Sequence, residues 1–279
     1  MKIVQITDTH LSHRGGATNE NFEKIARYIN DVLQPAFVVH SGDVSILNPD
    51  SVEDRAASHE LLKLIEAPLR VLPGNHDVGE PGENPWAGFN ATSARTTAFT
   101  DVFGEDHWVE IIGDYAIVGF NSEILDTGIP EEQAQWEWLE TVAGQVGERP
   151  TLVFCHKAFW PPLPGEFDHP TTLPAASLDR LMDVFGHLNV KIFGSGHLHH
   201  YQLGRHDSAI TVTAPSTAFL AKGTALLPVL DQLGVVEYLC ENGEADPFFR
   251  SVPDLIEGSP TAIPEFNLAL DGLGVTVTI

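Results

Sequence analysis

The sequence predicts an α/β fold with parallel strands, and two observations carry that prediction. Short apolar runs typical of buried strands occur throughout the chain, and longer segments between them repeat apolar residues at helical spacing. In the first half these two kinds of segment alternate strictly. Strands that alternate with helices are typical of βαβ units, in which helical crossovers join parallel strands. We therefore expect helices packed on at least one largely parallel sheet.

The elements of the first half follow one order. Strands are predicted at 2–7, 36–41 and 69–72. A helix with a start signal near Thr18 separates the first two strands, and one that begins after Ser51 separates the next two. Residues 78–100, rich in Gly, Pro, Asn and Thr, are predicted to form a long loop.

The second half predicts a hairpin, two helices and further strands. The hairpin joins 108–112 to 115–121, and a helix runs from Pro130 through Ala143 with Gly144 as its C-cap. A Pro-rich loop at 157–174 precedes an amphipathic helix at 177–188. The remaining strands are predicted at 151–155, 190–193, 210–213 and 235–239, and the alternating residues 268–279 are compatible with another.

Five polar clusters lie along the chain, and each follows a predicted strand. They are Asp8-Thr9-His10, Gly42-Asp43, Gly74-Asn75-His76-Asp77, His156 and Gly196-His197-Leu198-His199. Because ligands collect at the carboxyl ends of strands in open α/β sheets, we expect these side chains to converge. Side chains two residues apart on an extended segment point the same way, so Asp8 pairs with His10 and His197 with His199. The glycines are expected to let the backbone turn tightly.

These residue types suit two divalent metal ions. A two-metal hydrolytic site holds its ions about 3.5–4 Å apart and needs a carboxylate that faces both. Imidazoles favour Mn, Fe or Zn, and an amide oxygen completes a shell without adding charge. Taken singly, four of the residues have an ordinary structural alternative. These are helix N-caps for Asp8 and Asp43, a turn for Asn75, and a core position for His156.

The clusters resemble the calcineurin-like metallophosphoesterases over about residues 1–217, and Gly-Asn-His-Asp and Gly-His-x-His are the most specific pieces. The resemblance implies a four-layer αββα sandwich of two mixed sheets flanked by helices. It implies one metal held by Asp8, His10, Asp43 and His199, and a second held by Asp43, Asn75, His156 and His197. Asp43 would bridge the two, and His76 would contact the phosphate and leaving group as the catalytic residue. Residues 218–279 lie beyond the resemblance and are expected to complete a sheet, cap the site or make a dimer contact.

The function implied is hydrolysis of small phosphodiesters by in-line attack of a metal-bridging hydroxide. The bacterial class III cyclic-nucleotide phosphodiesterases and glycerophosphodiesterases are the branch that looks most similar. A phosphomonoesterase, including a protein phosphatase, is the alternative, because the same metals serve both reactions. A non-catalytic scaffold is disfavoured because every expected ligand is present.

The composition of the chain indicates which classes of binding partner are disfavoured. The 279 residues include 15 basic and 39 acidic ones, a formal net charge of −24. Such a surface repels polyanions, which argues against a nuclease that grips long nucleic acid. No run approaches the roughly 18–20 apolar residues of a membrane span. Two cysteines give no disulfide framework, and no signal peptide precedes the first strand, so we expect a cytoplasmic protein, with a homodimer possible.

Several residues near the clusters have two possible roles. Lys157 stands where many cyclic-nucleotide members of the family carry a second histidine, so it either touches the phosphate or lies exposed. Asp77 either orients a histidine or forms a turn. His13 has no assigned role, His40 is expected to be structural, and His200 is expected not to be a ligand. The loop aromatics are expected to pack locally, with stacking on a substrate as the alternative: Trp86, Phe89, Phe159 and Trp160.

Overall fold

A computed structural model describes residues 1–81, 88–160, 172–220, 230–265 and 267–268. Within these ranges one sheet contains five strands: β1 (Lys2–Ile6), β2 (Phe37–His40), β3 (Leu69–Val71), β10 (Val235–Glu241) and β11 (Glu244–Arg250). Their order is β11-β10-β1-β2-β3. The strands β1, β2 and β3 run parallel, and β10 is antiparallel to both β1 and β11. The far end of the chain thus completes the sheet that contains its first strand.

The second sheet has six strands in the described ranges: β4 (Trp108–Ile112), β5 (Tyr115–Gly119), β6 (Pro150–Phe154), β7 (Asn189–Ser195), β8 (Gln202–His206) and β9 (Ala209–Thr213). Their order is β4-β5-β6-β7-β9-β8. The four central strands run parallel, and the edge strands β4 and β8 are antiparallel to their neighbours. Both sheets are therefore mixed.

The described ranges also contain six α-helices: α1 (Ala17–Tyr28), α2 (Val52–Leu62), α3 (Asn75–Val78), α4 (Ser93–Phe103), α5 (Pro130–Val146) and α6 (Ala175–Phe185). The apolar core forms three layers. Ile3 and Val39 of the first sheet meet Phe154 and Ile192 of the second in the middle layer. Helices α1, α2 and α4 cover the outer face of the first sheet, and α5 and α6 cover that of the second. This is the predicted αββα sandwich, and the fold class is confirmed.

Three details differ from the sequence predictions. Residues 78–100 do not form one long loop, because α4 begins at Ser93, where the Thr92 hydroxyl accepts a hydrogen bond from the Arg95 amide at 3.3 Å. Helix α5 does not end at Ala143 but continues to Val146, and Gly147 supplies the positive φ of 64° that ends it. Strands β8 and β11 were not predicted, because polar residues interrupt their apolar pattern.

Some predictions fall outside the described residues. Trp86, most of the loop at 157–174 and nearly all of the strand at 268–279 lie there. The division of the chain at residue 217 stays a prediction. Among the described helices, none combines the length and apolar character that a bilayer crossing requires.

Candidate metal centre

The structure brings all eight predicted site residues together at the carboxyl ends of five strands. Three sets of side chains place their ligand atoms within 4.8 Å of one another: Asp8 with His10 and His199, His10 with Asp43 and His76, and Asp43 with His156 and His197. Asn75 joins the third set, since its Oδ1 lies 3.1 Å from His156 Nε2. Asp43 belongs to two of the sets and lies between the other ligands.

The backbone of the site is left-handed, not extended. Asp8, His10, Asp43, His197 and His199 have φ between 45° and 67°. The expectation that i and i+2 converge because the segment is extended is therefore wrong in its reason, although each pair does converge. A left-handed residue lets the chain turn sharply directly after the strand, at a cost of roughly 1–2 kcal/mol each. Among the described residues, half of the ten non-glycine residues with positive φ are at this site.

Three glycines make room for the ligand side chains. A Cβ on Gly42 would collide with the His156 ring, and one on Gly74 would collide with the Asp43 carboxylate. A Cβ on Gly196 would collide with the Thr7 hydroxyl and would lie 2.8 Å from Asp8 Oδ2. Only Gly42, with φ 106°, also needs the conformational freedom of glycine. The tight turns predicted for the other two are better described as close approach.

Hydrogen bonds to backbone carbonyls fix how three histidines face the site. The Nδ1 atoms of His10, His156 and His199 lie 3.1, 2.9 and 2.9 Å from the carbonyl oxygens of Ile46, Ser41 and Phe219. A carbonyl only accepts, so each Nδ1 carries the proton and donates it. In the neutral ring Nε2 then presents its lone pair inward, the arrangement that metal-ligating histidines need.

The inward nitrogen atoms face one another. His10 Nε2 lies 3.2 Å from His199 Nε2, and His156 Nε2 lies 3.1 Å from His197 Nδ1. Burial lowers the pKa of His10 to about 3, so this ring is neutral. Burial, with the charges of Lys157 and His156, holds the pKa of His197 well below its usual range. Burial would lower the pKa of the other ring in each pair, His199 and His156, but Asp8 raises the pKa of His199 and Asp43 raises that of His156. Each pair therefore needs positive charge, which a cation between the nitrogen atoms would supply.

The carboxylates supply the negative charge. Burial would raise the pKa of Asp8, but His199 and His156 outweigh it and hold this pKa well below its usual range. Burial would likewise raise the pKa of Asp43, but His156 and His76 lower it. Asp8 Oδ1 is buried with no hydrogen-bond partner among the described residues, although His199 Nε2 lies 3.2 Å away. An ionised and buried carboxylate oxygen beside imidazole nitrogen atoms fits a divalent cation.

The pKa of His156 also indicates that the site favours positive charge. Burial would lower its pKa, but the carboxylates of Asp43, Asp8 and Glu123 raise the pKa to about 10. His156 Nε2 lies 3.3 Å from Asp43 Oδ2. A metal ligand must give up this proton, so a cation at this position would replace the positive charge that the proton supplies.

His76 occupies a different position from the other histidines. Its amide donates to Asp43 Oδ1 at 2.8 Å, and its Nδ1 lies 3.3 Å from the Leu47 carbonyl oxygen. Its Nε2 lies 3.7 Å from Asp43 Oδ2, and its side chain is 14% exposed, whereas the Asp43 side chain is 2% exposed. His76 is therefore at the edge of the cluster, where it can reach a molecule bound there.

The residues with two possible roles now have defined contacts. Lys157 is not at the surface, because it is 1% exposed and its Nζ lies 3.5 Å from Glu123 Oε2. Asp77 caps the turn before α3 and accepts from the amides of Val44, Ser45 and Gly74. Burial and the Asp43 charge raise the pKa of Asp77 to about 7.

His40 has the structural position predicted for it. Its Nδ1 accepts from the Gly42 amide at 3.2 Å, so its Nε2 donates to the Thr9 hydroxyl at 2.9 Å. It therefore joins the first two ligand clusters. His200 belongs to none of the three ligand sets, and its Nε2 lies 3.3 Å from Gln202 Oε1. His13 pairs with Asp54 at 2.7 Å.

The sequence did not single out three residues at the site. Glu80 Oε1 accepts from Asn75 Nδ2 at 3.2 Å, which turns the Asn75 Oδ1 atom toward His156. Ser122 Oγ accepts from the amides of His156 and Lys157, at 3.2 and 3.1 Å. Phe219 packs on two ligand histidines. None belongs to a ligand motif, and only their tertiary contacts identify them.

Comparisons with known proteins agree with this geometry. The model of the calcineurin-like phosphoesterase family matches residues 1–201. The chain is 26% identical over 234 residues to the probable glycerophosphodiester phosphodiesterase GpdQ of Arcobacter nitrofigilis, covering 77% of this chain and 78% of that one. It is 27% identical over 210 residues to the 3',5'-cyclic adenosine monophosphate phosphodiesterase CpdA of Escherichia coli, covering 71% and 70%. It is 26% identical over 188 residues to the human serine/threonine-protein phosphatase CPPED1, covering 63% and 57%.

Solved structures share the fold at lower identity. The purple acid phosphatase PPD1 of yellow lupin superposes with a TM-score of 0.64 at 14% identity, covering all of this chain and 57% of that one. A dimetal phosphatase of Danio rerio gives 0.53 at 13% identity, covering 90% and 99%. The family match spans all the predicted ligands, and the chain belongs to the calcineurin-like phosphoesterase family, whose members hydrolyse phosphate esters.

Proposed function

We propose that this protein is a binuclear metal-dependent phosphodiesterase that acts on small phosphodiesters. The observation that carries the proposal is the convergence of three ligand sets, in which Asp43 joins His10 in one set and joins His156 and His197 in another. In this proposal Asp8, His10 and His199 hold one cation with Asp43. The other cation is held by Asp43 with Asn75, His156 and His197. The imidazole-rich shell favours Mn or Fe, with Zn as the alternative.

The chemistry divides between the cations and His76. Two divalent cations, when bound, supply Lewis acidity to a phosphoryl oxygen and lower the pKa of the attacking water. The Nδ1–H group of His76 donates a hydrogen bond to the Leu47 carbonyl oxygen, which orients the ring. Nε2 is then the atom that exchanges a proton with the substrate. The attacking water forms the new bond to phosphorus and loses a proton. Nε2 of His76 gives a proton to the leaving alkoxide as the bond between that oxygen and phosphorus breaks. The surrounding ligands position the ester, and phosphoryl transfer depends mainly on such positioning.

Two observations support a small diester as the substrate. Relatives named as phosphodiesterases match more than two thirds of the chain. The formal net charge of −24 disfavours a long polyanion, whereas a single small anion is attracted locally by the cations. A glycerophosphodiester or a cyclic nucleotide is the substrate type we propose. The candidate alternative is a phosphomonoesterase, which the similarity to a protein named as a phosphatase favours.

The deciding experiment compares two substrates. Protein stripped with chelator is reloaded with Mn²⁺ and assayed with bis(p-nitrophenyl) phosphate and with p-nitrophenyl phosphate. We expect Mn²⁺-dependent turnover in which kcat/KM for the diester exceeds that for the monoester. Dominant monoester turnover would instead establish the phosphatase alternative, and a panel of cyclic nucleotides and glycerophosphodiesters would follow a diesterase result.

A variant tests the role of His76. His76→Ala should lower kcat for the diester about 100-fold or more, with two metal equivalents retained, because general acid–base groups contribute about 10²–10⁴-fold. His187→Ala, at an exposed histidine after α6, is the matched control and should keep the wild-type kcat. Wild-type kcat in His76→Ala would remove His76 from the mechanism. A cytoplasmic location and a homodimer stay predictions.

A further inference from the structure

The segment after β9 lies beyond the family match yet contacts the metal centre. Ser216 Oγ donates to the Asp8 carbonyl oxygen at 2.9 Å, and the Thr217 amide donates to the Thr7 carbonyl oxygen at 3.3 Å. The family model ends at residue 201. Residues 216–219, which we call the wall segment, therefore reach the site from outside the matched region.

Phe219 makes the closest contacts of the wall segment. Its ring stacks on His10 with centroids 4.6 Å apart and an interplanar angle of 27°. The same ring lies 4.8 Å from the His199 ring, tilted by 41°. Its carbonyl oxygen accepts the Nδ1 proton of His199 at 2.9 Å. One residue thus packs on two of the histidines of one ligand set, and it is 2% exposed.

The C-terminal part of the chain holds the wall segment in place. Phe219 forms a buried cluster with Ala218 and Ile263. The Leu220 amide donates to the Gly258 carbonyl oxygen at 2.9 Å. Asn21 of α1 donates to the carbonyl oxygens of Ala218 and Ile256, at 3.3 and 2.9 Å. The ring of Phe219 is therefore packed against the C-terminal part of the chain as well as against the histidines.

We propose that Phe219 is a positioning residue that sets the metal affinity of the ligand set Asp8, His10 and His199. Its flat face holds the His10 ring, and its carbonyl oxygen fixes the tautomer and orientation of His199. Without the ring, the two Nε2 atoms that now lie 3.2 Å apart are free to separate. Partners that orient metal-ligating histidines typically change affinity by about 10–100-fold when removed. The inference rests on the proposed two-cation site, and it adds that one of the two positions depends on the C-terminal part of the chain.

The test is titration of chelator-stripped protein with MnCl₂ by isothermal calorimetry. Phe219→Ala should weaken one of two Mn²⁺ binding steps about 10–100-fold and leave the other within about threefold. Phe219→Leu, which keeps the bulk, should retain both steps within about threefold. Phe185→Ala is the matched control, since Phe185, the last residue of α6, is also 2% exposed but belongs to another cluster. It should leave both steps unchanged.

A second variant identifies which position is affected. His156→Ala removes a ligand of the other set and should abolish one step. In the double variant His156→Ala with Phe219→Ala, the remaining step should weaken about 10–100-fold as well. Ile263→Ala, which removes support behind Phe219, should show a smaller change in the same step.

The outcomes separate this inference from the proposed function. The inference would be overturned if Phe219→Ala left both Mn²⁺ binding steps unchanged. It would also be overturned if Phe219→Ala weakened both steps equally and Phe185→Ala did the same. Wild-type protein that binds fewer than two equivalents of Mn²⁺ would overturn it together with the two-cation site. Wild-type protein that binds two equivalents but hydrolyses neither ester would contradict the function alone and leave the effect of Phe219 measurable.

Discussion

The buried pair of Lys157 and Glu123 gives a prediction whose magnitude follows from the structure. The two residues are 1% and 0% exposed, and Lys157 Nζ lies 3.5 Å from Glu123 Oε2. At an effective dielectric constant of about 20, two unit charges at this distance attract by about 5 kcal/mol. Burial nevertheless raises the pKa of Glu123 above its ordinary value of 4.5, although Lys157 opposes the rise. The attraction therefore does not fully offset the desolvation of the carboxylate.

Removing the lysine should destabilise the protein in a pH-dependent way. In Lys157→Met the pKa of Glu123 rises further, because the opposing charge is gone. A carboxyl group whose folded-state pKa exceeds its unfolded value stabilises the fold at low pH, and this contribution is lost as pH rises through the folded pKa. We expect a loss of about 3–5 kcal/mol at pH 8 and a smaller loss at pH 5, where Glu123 takes up a proton. The double variant Lys157→Met with Glu123→Gln should recover most of the loss.

Urea unfolding in the presence of chelator, followed by tryptophan fluorescence at pH 5 and pH 8, measures these changes. Lys63→Met is the matched control, since Lys63 pairs with Glu60 at the surface, and its midpoint should equal that of the wild type at both pH values. A loss below about 1 kcal/mol at pH 8 in Lys157→Met would refute the reasoning. So would an equal loss at both pH values, because it would show that Glu123 does not titrate between them.

Three further predictions concern other features. Gly144 lies inside α5, with open space where a Cβ would be. Gly144→Ala should therefore raise the free energy of unfolding in urea by about 0.5–1 kcal/mol. A lower free energy of unfolding would contradict the continuation of the helix at this residue. Gly196→Ala should weaken Mn²⁺ binding at least tenfold by calorimetry, because its Cβ collides with Thr7 and crowds Asp8, whereas Gly144→Ala should bind normally. His40→Leu leaves the buried Gly42 amide without its acceptor and should cost about 1–3 kcal/mol in unfolding free energy; wild-type stability would show that this bond contributes little.

The layers of the fold and the membership of the site were predictable from the sequence. Apolar runs followed within a few residues by Asp, Asn or His mark strand ends, and the ends of parallel strands meet at one edge. The mixed sheets and helices of the sandwich are confirmed. The residue types of the clusters also favoured metal chemistry, and the structure places all of them together.

The local geometry of the site could not be predicted in the same way. The alternation rule for extended strands does not apply to His10 or His199, because both adopt left-handed backbone conformations. Periodicity also fails for α4, whose sequence is rich in Thr and follows many turn residues. Phe219 contacts His10 and Glu123 contacts Lys157, and because both pairs are more than 30 positions apart in sequence, no local pattern encodes them.

The strand β1 has a consequence for how the protein is made. It carries the first ligand cluster at its end, and it pairs with β2 on one side and with β10 on the other. Chains are synthesised from the N-terminus, so β1 lacks a neighbour on one side until residues 235–241 have been made. An unpaired apolar edge invites association with other chains. A shortened chain that ends near residue 217 would keep this edge open permanently, so we expect it to aggregate during expression instead of yielding a smaller enzyme.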